Sequence, residues 1–153
     1  MKNLRILLAA VITAGLIGGY VMGTKCVTST AAALGKDVKC PVTGKPAKAD
    51  QFVEYNGGKV YFCCPNCAGE FSKNPEKYSA KANLQLVQTG QLKQIACPFS
   101  GNPISPATAL NVDGVSVSFC CEHCKEKAAA ETASDDQVNL IFADASKGFK
   151  NVK

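Results

Sequence analysis

Four cysteines recur in this chain at one fixed offset, and this recurrence constrains the fold more than any other feature. Every member of the second set lies 57 positions after its counterpart in the first. The two sets are Cys40, Cys63, Cys64 and Cys67, followed by Cys97, Cys120, Cys121 and Cys124. Because chance does not place four cysteines at four identical offsets, the sequence predicts two copies of one small module.

The residues around the cysteines repeat as well. Each copy opens with Cys-Pro-x-Thr/Ser-Gly-x-Pro and later carries an apolar segment that ends in Phe-Cys-Cys. Proline fixes φ and glycine supplies a positive φ, so the opening segment predicts a tight turn. Asn56-Gly57 in the first copy and Asp113-Gly114 in the second predict a β-hairpin between the turn and the paired cysteines.

Two helices and a short strand are predicted after each hairpin. The first helix is expected over residues 65–72 in one copy and 122–131 in the other. A second helix follows, and a final strand is expected over 92–95 and over 149–152. Each module is therefore predicted to be a small α+β unit.

Local signals predict where the second helices begin and end. In the first copy Asn74 is expected to cap the helix, Pro75 to occupy its first position and Gly90 to stop it. In the second copy Ser134–Gln137 predicts a capping box and Gly148 the stop.

The first 24 residues have the pattern of an export signal. Lys2 and Arg5 precede Ile6–Thr24, a run of 19 residues without charge. Such a pattern is typical of a signal peptide or a signal anchor, and its length approaches the roughly 20 residues of a membrane span. By the positive-inside rule, the chain beyond residue 24 is expected outside the cytoplasm, in the periplasm or anchored to the membrane facing outward.

The predicted organisation is a leader over 1–24, a linker over 25–38, a first module over 39–96 and a second over 97–153. A module of this size buries little core, so a metal ion or a disulfide is expected to stabilise it. The predicted core residues are Val53, Val60, Phe62, Phe71, Tyr78, Leu110, Val117, Phe119, Leu140 and Phe142.

The cysteine spacing favours a metal site. Cys63 and Cys67 are four residues apart at a helix start, and Cys64 and Cys67 are three apart, so these thiols share a face. The positive potential of a helix start favours the thiolate that binds metal. Cys40 lies on a turn whose N–H groups can point at its sulfur. All eight repeated cysteines are therefore candidate ligands.

With these residues in place, the chain resembles the TRASH and YHS families of small metal-binding modules. The likeness rests on the Cys40-Pro-x-Thr-Gly turn, the Asn-Gly hairpin, Val-Tyr-Phe-Cys63-Cys64-x-x-Cys67, then Phe71 and Pro75-Glu-Lys-Tyr78. It implies treble-clef or zinc-ribbon-like modules that act in trafficking, resistance or sensing of copper, zinc or mercury. The ligands that it implies are Cys40, Cys63 and Cys67, and in the second copy Cys97, Cys120 and Cys124.

The chain departs from the pattern of those families at two positions in each copy. Many relatives have Ser where Cys64 and Cys121 stand, and many YHS members have a second cysteine where Thr43 and Ser100 stand. The fourth ligand is therefore open, with Cys64 and Cys121 as candidates. The cofactor is expected to be zinc or copper, and a three-thiolate site suits Cu(I) or Hg(II) better than structural zinc.

Two other uses of the cysteines remain open. In an oxidising compartment Cys63 or Cys64 can pair with Cys40 as a structural disulfide. Cys64-Pro-Asn-Cys67 and its counterpart Cys121-Glu-His-Cys124 also resemble redox CxxC motifs at a helix start. The single histidine, His123, is a further candidate ligand, whereas Cys26 lies outside both repeats and has no assigned role.

Composition narrows the function classes. The net charge is +5 and the lysines are scattered without interleaved aromatics, so nucleic-acid binding is not expected. One histidine and scattered carboxylates give no hydrolytic machinery, so an enzyme is not expected. The predicted function is exported binding, buffering or delivery of a soft metal ion. The predicted partners are metal ions, the membrane and a metal-transport protein or metalloprotein; an interaction module is the alternative.

Overall fold

The computed structural model describes residues 34–35 and 37–152. The predicted leader over 1–24 and Cys26 lie outside the described residues. The helices within the described part all fall short of the length and apolar character that crossing a membrane requires. Both repeats belong to one compact unit.

The first repeat is a hairpin followed by helices and a short strand. Its turn residues Asn56 and Gly57 have φ of 49° and 75°, the left-handed pair that a two-residue hairpin of type I′ requires. The elements are β1 (Lys48–Tyr55), β2 (Gly58–Phe62), α1 (Pro65–Lys73), a 3-10 turn (Glu76–Tyr78), α2 (Ser79–Gln88) and β3 (Leu92–Gln94).

The second repeat has the same order of elements. Asp113 and Gly114 form its hairpin turn with φ of 45° and 83°. The elements are β4 (Ser105–Val112), β5 (Val115–Phe119), α3 (Glu122–Ala129), α4 (Ser134–Phe142) and β6 (Phe149–Asn151). The predicted small α+β class, the two hairpins and the two short final strands are confirmed.

The predicted start of α2 is wrong. Helix α1 runs one residue farther than predicted, to Lys73, so Asn74 ends α1 instead of capping the next helix. Pro75 precedes the 3-10 turn, and α2 begins only at Ser79. The predicted stop is confirmed, because the N–H of Gly90 donates to the Val87 carbonyl at 3.0 Å in the turn that follows the helix.

The predicted capping box of α4 is also wrong. Ala133 occupies the cap position and makes no side-chain capping hydrogen bond. Gln137 instead donates from Nε2 to the Ala128 carbonyl at 2.9 Å, which ties α4 to the end of α3. Asp135 and Asp136 lie in the first turn, where negative charge complements the helix dipole.

Gly148 does not stop α4, which ends six residues earlier at Phe142. Glycine is required there for a different reason. A Cβ at residue 148 would lie 2.8 Å from the Pro98 Cα. The Gly148 carbonyl accepts hydrogen bonds from the N–H groups of Ile95 and Ala96 at 2.9 and 3.2 Å. This close approach holds the segment that leads into Cys97.

The two repeats pack on each other, which the sequence did not predict. Helix α2 lies against α4, and the final strands β3 and β6 pair antiparallel. In that pair Lys93 faces Lys150, its own counterpart at the 57-residue offset. The Asn83 side chain joins the helices by donating to the Phe142 carbonyl at 2.9 Å. The module boundary between residues 96 and 97 stays a prediction.

The core is thicker than predicted because the helix pair adds to it. Six of the predicted core residues are buried: Val60, Phe62, Phe71, Val117, Phe119 and Phe142. Four are half-buried: Val53, Tyr78, Leu110 and Leu140. The α2–α4 pair adds Leu84, Leu86, Val138 and Ile141, which were not among the predicted core residues.

Glutamine side chains satisfy the outer edges of β2 and β5. Gln85 accepts from the Tyr61 N–H at 2.6 Å and donates to the Tyr61 carbonyl at 2.8 Å. Gln94 makes the same pair of bonds to Ser118, at 2.9 and 2.6 Å. An edge strand whose backbone groups are paired is fixed in place. The strands that carry Cys63 and Cys120 at their ends are thereby held.

Candidate metal centre

A closed turn presents the first cysteine of each repeat. The Cys40 N–H donates to the carbonyl five residues later at 2.7 Å, and the Cys40 carbonyl accepts from Gly44 at 2.8 Å. Cys97 and Gly101 repeat these bonds at 2.9 and 2.8 Å. Both glycines have φ near +70°, a conformation that side chains disfavour. The sulfurs of Cys40 and Cys97 are buried with their residues, which are 1% and 0% exposed.

The end of the hairpin and the start of the following helix present the other thiols. In the first repeat β2 ends at the buried Phe62, and Cys63 follows directly. Cys64 is the cap residue of α1 and has extended backbone. Cys67 lies in the first turn of α1 and is 6% exposed. The hairpin and the helix thus converge on the Cys40 turn.

Three sulfurs come together in each repeat, as the family resemblance implied. The Sγ atoms of Cys40, Cys63 and Cys67 lie within 4.8 Å of one another, with 3.6 Å between Cys63 and Cys67. A metal ion with bonds to sulfur of about 2.3 Å sets its ligands about 3.8 to 4.0 Å apart. The three thiols, here named the inner triad, therefore fit one metal ion.

The second repeat builds the same arrangement. Cys97, Cys120 and Cys124 form its inner triad, again within 4.8 Å, and the Cys120 and Cys124 sulfurs are 3.7 Å apart. Two sites with the same ligand types and the same geometry are thus present. The repeat predicted from the sequence is a repeat of sites as well as of elements.

Cys64 and Cys121 lie beside the triads and are not part of them. The Cys64 sulfur is 3.5 Å from that of Cys67 and 3.8 Å from that of Cys63. The Cys121 sulfur is 3.7 Å from that of Cys120. Cys64 is half-buried and Cys121 is exposed. Each stands at the cap position of the helix that follows the hairpin and is more exposed than the turn cysteine of its cluster.

A hydroxyl group stands at the edge of each triad. The Thr43 Oγ1 lies 3.4 Å from the Cys63 sulfur, and the Ser100 Oγ lies 3.3 Å from the Cys120 sulfur. The contact of these hydroxyls with the thiols was not predicted. The sequence feature that could have pointed to this contact is the repeat itself, because Thr43 and Ser100 both carry a hydroxyl and lie 57 residues apart.

Hydrogen bonding favours the thiolate at the buried turn cysteines. Burial is the largest influence on Cys40 and favours its neutral form. The backbone N–H of Cys63 and the hydroxyl and N–H of Thr43 outweigh burial together and lower the pKa of Cys40 to about 7. Burial is also the largest influence on Cys97 and acts to raise its pKa. Hydrogen bonds from the Ser100 hydroxyl and from neighbouring N–H groups together outweigh burial and lower the pKa of Cys97 to about 6.

Two further thiols in each cluster have pKa values shifted in opposite directions. Burial raises the pKa of Cys67 and of Cys124 to about 12, and the neighbouring thiols add to this effect. The N–H groups of the helix start, together with the neighbouring thiols, lower the pKa of Cys64 and of Cys121. Each cluster thus stabilises negative charge on some sulfurs and protons on another, an arrangement that a bound cation would reorganise.

Two further expectations concern His123 as a ligand and disulfide bonds between the cysteines. His123 is exposed and stands outside the groups of three that the described residues form. The eight repeated cysteines are all free thiols in the described part of the chain, since the sulfurs nearest to one another lie well beyond the roughly 2.05 Å of a disulfide bond. The disulfide alternative therefore has no bonded pair among the described residues.

Comparison with known protein families gives a match in the first repeat. The family model of the YHS domain matches residues 38–82, which run from the Cys40 turn into α2. No curated protein and no solved structure matches the chain. The second repeat is linked to the first by the 57-residue offset and by its own cysteine triad. Residues 38–82 thus match the YHS domain, and the domain and both triads fit metal binding.

Proposed function

We propose that this protein binds two soft metal ions, one at each inner triad, and buffers or carries them outside the cytoplasm. The observation that supports this most strongly is the repetition of one three-sulfur arrangement on two separate turns, hairpins and helices. Two clusters with matching hydroxyl contacts favour a protein whose function is to bind metal ions.

The donor set favours Cu(I) or Hg(II) over zinc. Structural zinc takes four ligands in a tetrahedron. Each inner triad supplies three sulfurs, and the fourth thiol of the cluster lies outside the group of three. The hydroxyl beside the triad is a weak partner for a soft ion. A turn ligand combined with ligands from a hairpin end and a helix start is also the order expected of treble-clef-like modules.

The location and partners are inferred from the sequence alone. Two basic residues followed by 19 uncharged ones support export, with the repeats in the periplasm or held at the outer face of the membrane. We infer that the protein is a binding protein and not an enzyme. Its partner would be a metal-transport protein or a metalloprotein that exchanges ions through thiols.

The test is native mass spectrometry of the full chain, purified without oxygen and loaded with Cu(I). Two ions per chain are expected. Cys40→Ser and Cys97→Ser should each remove one ion, and the double variant both. Cys26→Ser is the matched control, because Cys26 lies outside the repeats, and it should retain two ions.

Three other results would count against the proposal. Tight tetrahedral zinc without any copper binding would make the metal choice wrong. No bound metal, with four disulfides in the repeats, would make the chain a disulfide-stapled scaffold. Reversible reduction of one disulfide per repeat, without metal, would favour a thiol-disulfide redox protein.

A further inference from the structure

Each cluster contains one thiol more than its triad uses. In the first repeat the Cys64 sulfur contacts the sulfurs of Cys63 and Cys67 at 3.8 and 3.5 Å. Cys63, Cys64 and Cys67 therefore form a second triangle, here named the outer triad. It shares the Cys63–Cys67 edge with the inner triad that contains Cys40. Moving between the two triangles changes one ligand and keeps two.

The two triangles differ in their access to solvent. Cys40, the vertex of the inner triad, is 1% exposed. Cys64, the vertex of the outer triad, is half-buried, and its counterpart Cys121 is exposed. An ion that arrives from solvent, or from the thiols of another protein, therefore meets the outer vertex before it reaches Cys40.

Helix stability does not explain the extra thiol. Cys64 and Cys121 occupy the cap positions of α1 and α3, where Ser, Thr, Asp or Asn is strongly preferred. The N–H groups of the helix start face these sulfurs, but neither side chain makes a capping hydrogen bond. The same thiol at both cap positions is thus better explained by its contact with the neighbouring sulfurs.

We propose that Cys64 and Cys121 are exchange ligands that pass a soft thiophilic ion between the surface and the buried triad. This inference rests on the proposed function. In the first repeat the ion is first bound by Cys63, Cys64 and Cys67. A bond from the metal to the Cys40 sulfur then forms, and the bond to the Cys64 sulfur breaks.

The exchange is balanced without an oxidant or a reductant. The bonds to Cys63 and Cys67 persist, and the oxidation state of the ion does not change. Where the Cys40 thiol still carries its proton, that proton passes to the released Cys64 sulfur. Delivery is the reverse sequence: the ion returns to Cys63, Cys64 and Cys67, and thiolates of the acceptor then form bonds to it one at a time as the bonds to these three sulfurs break.

The experiment separates the rate of transfer from affinity. The full chain, reduced and loaded with two Cu(I) ions, is mixed with the Cu(I) chelator bicinchoninate. Stopped-flow absorbance gives the rate of ion removal, and equilibrium titration gives the affinity. Cys64→Ser combined with Cys121→Ser should slow removal at least about tenfold, about 1.4 kcal/mol in the barrier, while both ions remain bound with little change in affinity.

Two variants serve as references. Cys26→Ser should leave both rate and affinity unchanged. Cys40→Ser combined with Cys97→Ser should lose affinity, because it removes a vertex of each inner triad. Cys64→Ala with Cys121→Ala repeats the test without a hydroxyl, and circular dichroism verifies that every variant is folded.

The outcomes are distinct. Unchanged removal rates in the Cys64 and Cys121 variants, with two ions bound, would overturn this inference and leave the proposed function intact. A loss of ions equal to that of the Cys40 variants would also overturn it, because Cys64 would then be a permanent ligand. Failure of the unmodified chain to bind Cu(I) would overturn the proposed function itself.

Discussion

At the scale of single residues, a hydroxyl group stands beside each triad at the position of a possible fourth ligand. Thr43 and Ser100 stand within hydrogen-bond reach of a thiol in their clusters, at 3.4 and 3.3 Å. A hydroxyl can stabilise a thiolate by donating to it, yet it adds no fourth soft ligand. We therefore expect the metal preference of each repeat to respond to a change at this one position.

Replacing that oxygen with sulfur is expected to change the preferred metal. Thr43→Cys with Ser100→Cys places a fourth sulfur beside each inner triad, at the position of the hydroxyl, and should raise zinc affinity at least about tenfold. Competition with a zinc chelator measures this, and the Co(II) spectrum reports tetrahedral geometry. Thr43→Val removes the hydroxyl without adding a ligand, and Thr132→Val changes a threonine outside both clusters. Zinc affinity unchanged by the added cysteines would contradict the assigned position.

The thiol pKa values predict how the reduced, metal-free chain responds to pH. The folded chain lowers the pKa of Cys40 from 9.0 to about 7 and that of Cys97 to about 6. The stability that these two thiolates contribute to the fold is complete above pH 9 and is lost as the pH falls through those two pKa values. The pKa values of Cys67 and Cys124 are raised to about 12. The stability that these two protonated thiols contribute to the fold is therefore complete below pH 9 and is lost as the pH rises toward 12.

We therefore expect the urea midpoint of the metal-free chain to be highest near pH 9. It should fall toward pH 6 and again toward pH 12, in buffers that contain a reductant. The double variant Cys40→Ser and Cys97→Ser should show a smaller decline on the acidic side, since the lowered pKa values of Cys64 and Cys121 remain. An equal decline in both proteins would show that other groups cause it.

At the scale of elements, the segments between helices position the sites as much as the helices do. Gly148 approaches Pro98, the residue after Cys97, so closely that no side chain fits between them. A loop remote in sequence thus presses on the turn that presents a ligand. The first repeat has no counterpart of this contact in sequence, because residue 91 is Gln.

Gly148→Ala is expected to destabilise the chain by about 1 to 3 kcal/mol, since its Cβ would lie 2.8 Å from backbone. It should also weaken metal binding at the second triad more than at the first. Gly69→Ala is the matched control. Gly69 lies in α1, and beyond its chain neighbours and its own helix backbone no atom lies within 4 Å of the position that a Cβ would take. Alanine should therefore stabilise by about 0.5 to 1 kcal/mol. Urea unfolding and Cu(I) titration check both. Equal effects of the two variants would contradict the role of the contact.

The elements also indicate how far sequence reasoning reached. The hairpin turns at Asn56 and Asp113 were predictable because two adjacent residues determine them. The triads were predictable because turn, hairpin and helix start lie close together along each repeat. Asn74 was misplaced because a polar residue after a helix can end it as well as begin the next one. The pairing of β3 with β6 was not predictable, since it joins segments 57 residues apart and nothing local specifies it.

At the scale of the whole molecule, the two repeats complete one another. Strand β3 has its only strand partner in the described residues in β6, and the buried face of α2 lies on α4. Gln94, at the end of the first repeat, satisfies the edge of β5 in the second. Each half thus depends on the other for backbone hydrogen bonds and for buried apolar surface.

We expect fragments 34–96 and 97–153 to be largely unfolded as separate, dilute, metal-free monomers and to fold when mixed. Each alone would expose the apolar faces of its second helix and leave a three-residue strand unpaired. Far-ultraviolet circular dichroism of each fragment and of the mixture measures this. The intact chain should unfold in one transition. Two independently folded fragments, with no gain on mixing, would contradict the shared core.

The pairing of Lys93 with Lys150 has a consequence for the ancestry of the chain. A strand that pairs with its own counterpart, with the flanking residues exchanged in order, is the geometry of a two-fold symmetric homodimer. One repeat, present as two separate polypeptides, can build the same interface. Fusion of duplicated copies then frees each half to diverge, as Asn66 and His123 have beside equivalent cysteines. One chain can in this way acquire two sites of different affinity and respond over a wider range of metal concentration than either copy alone.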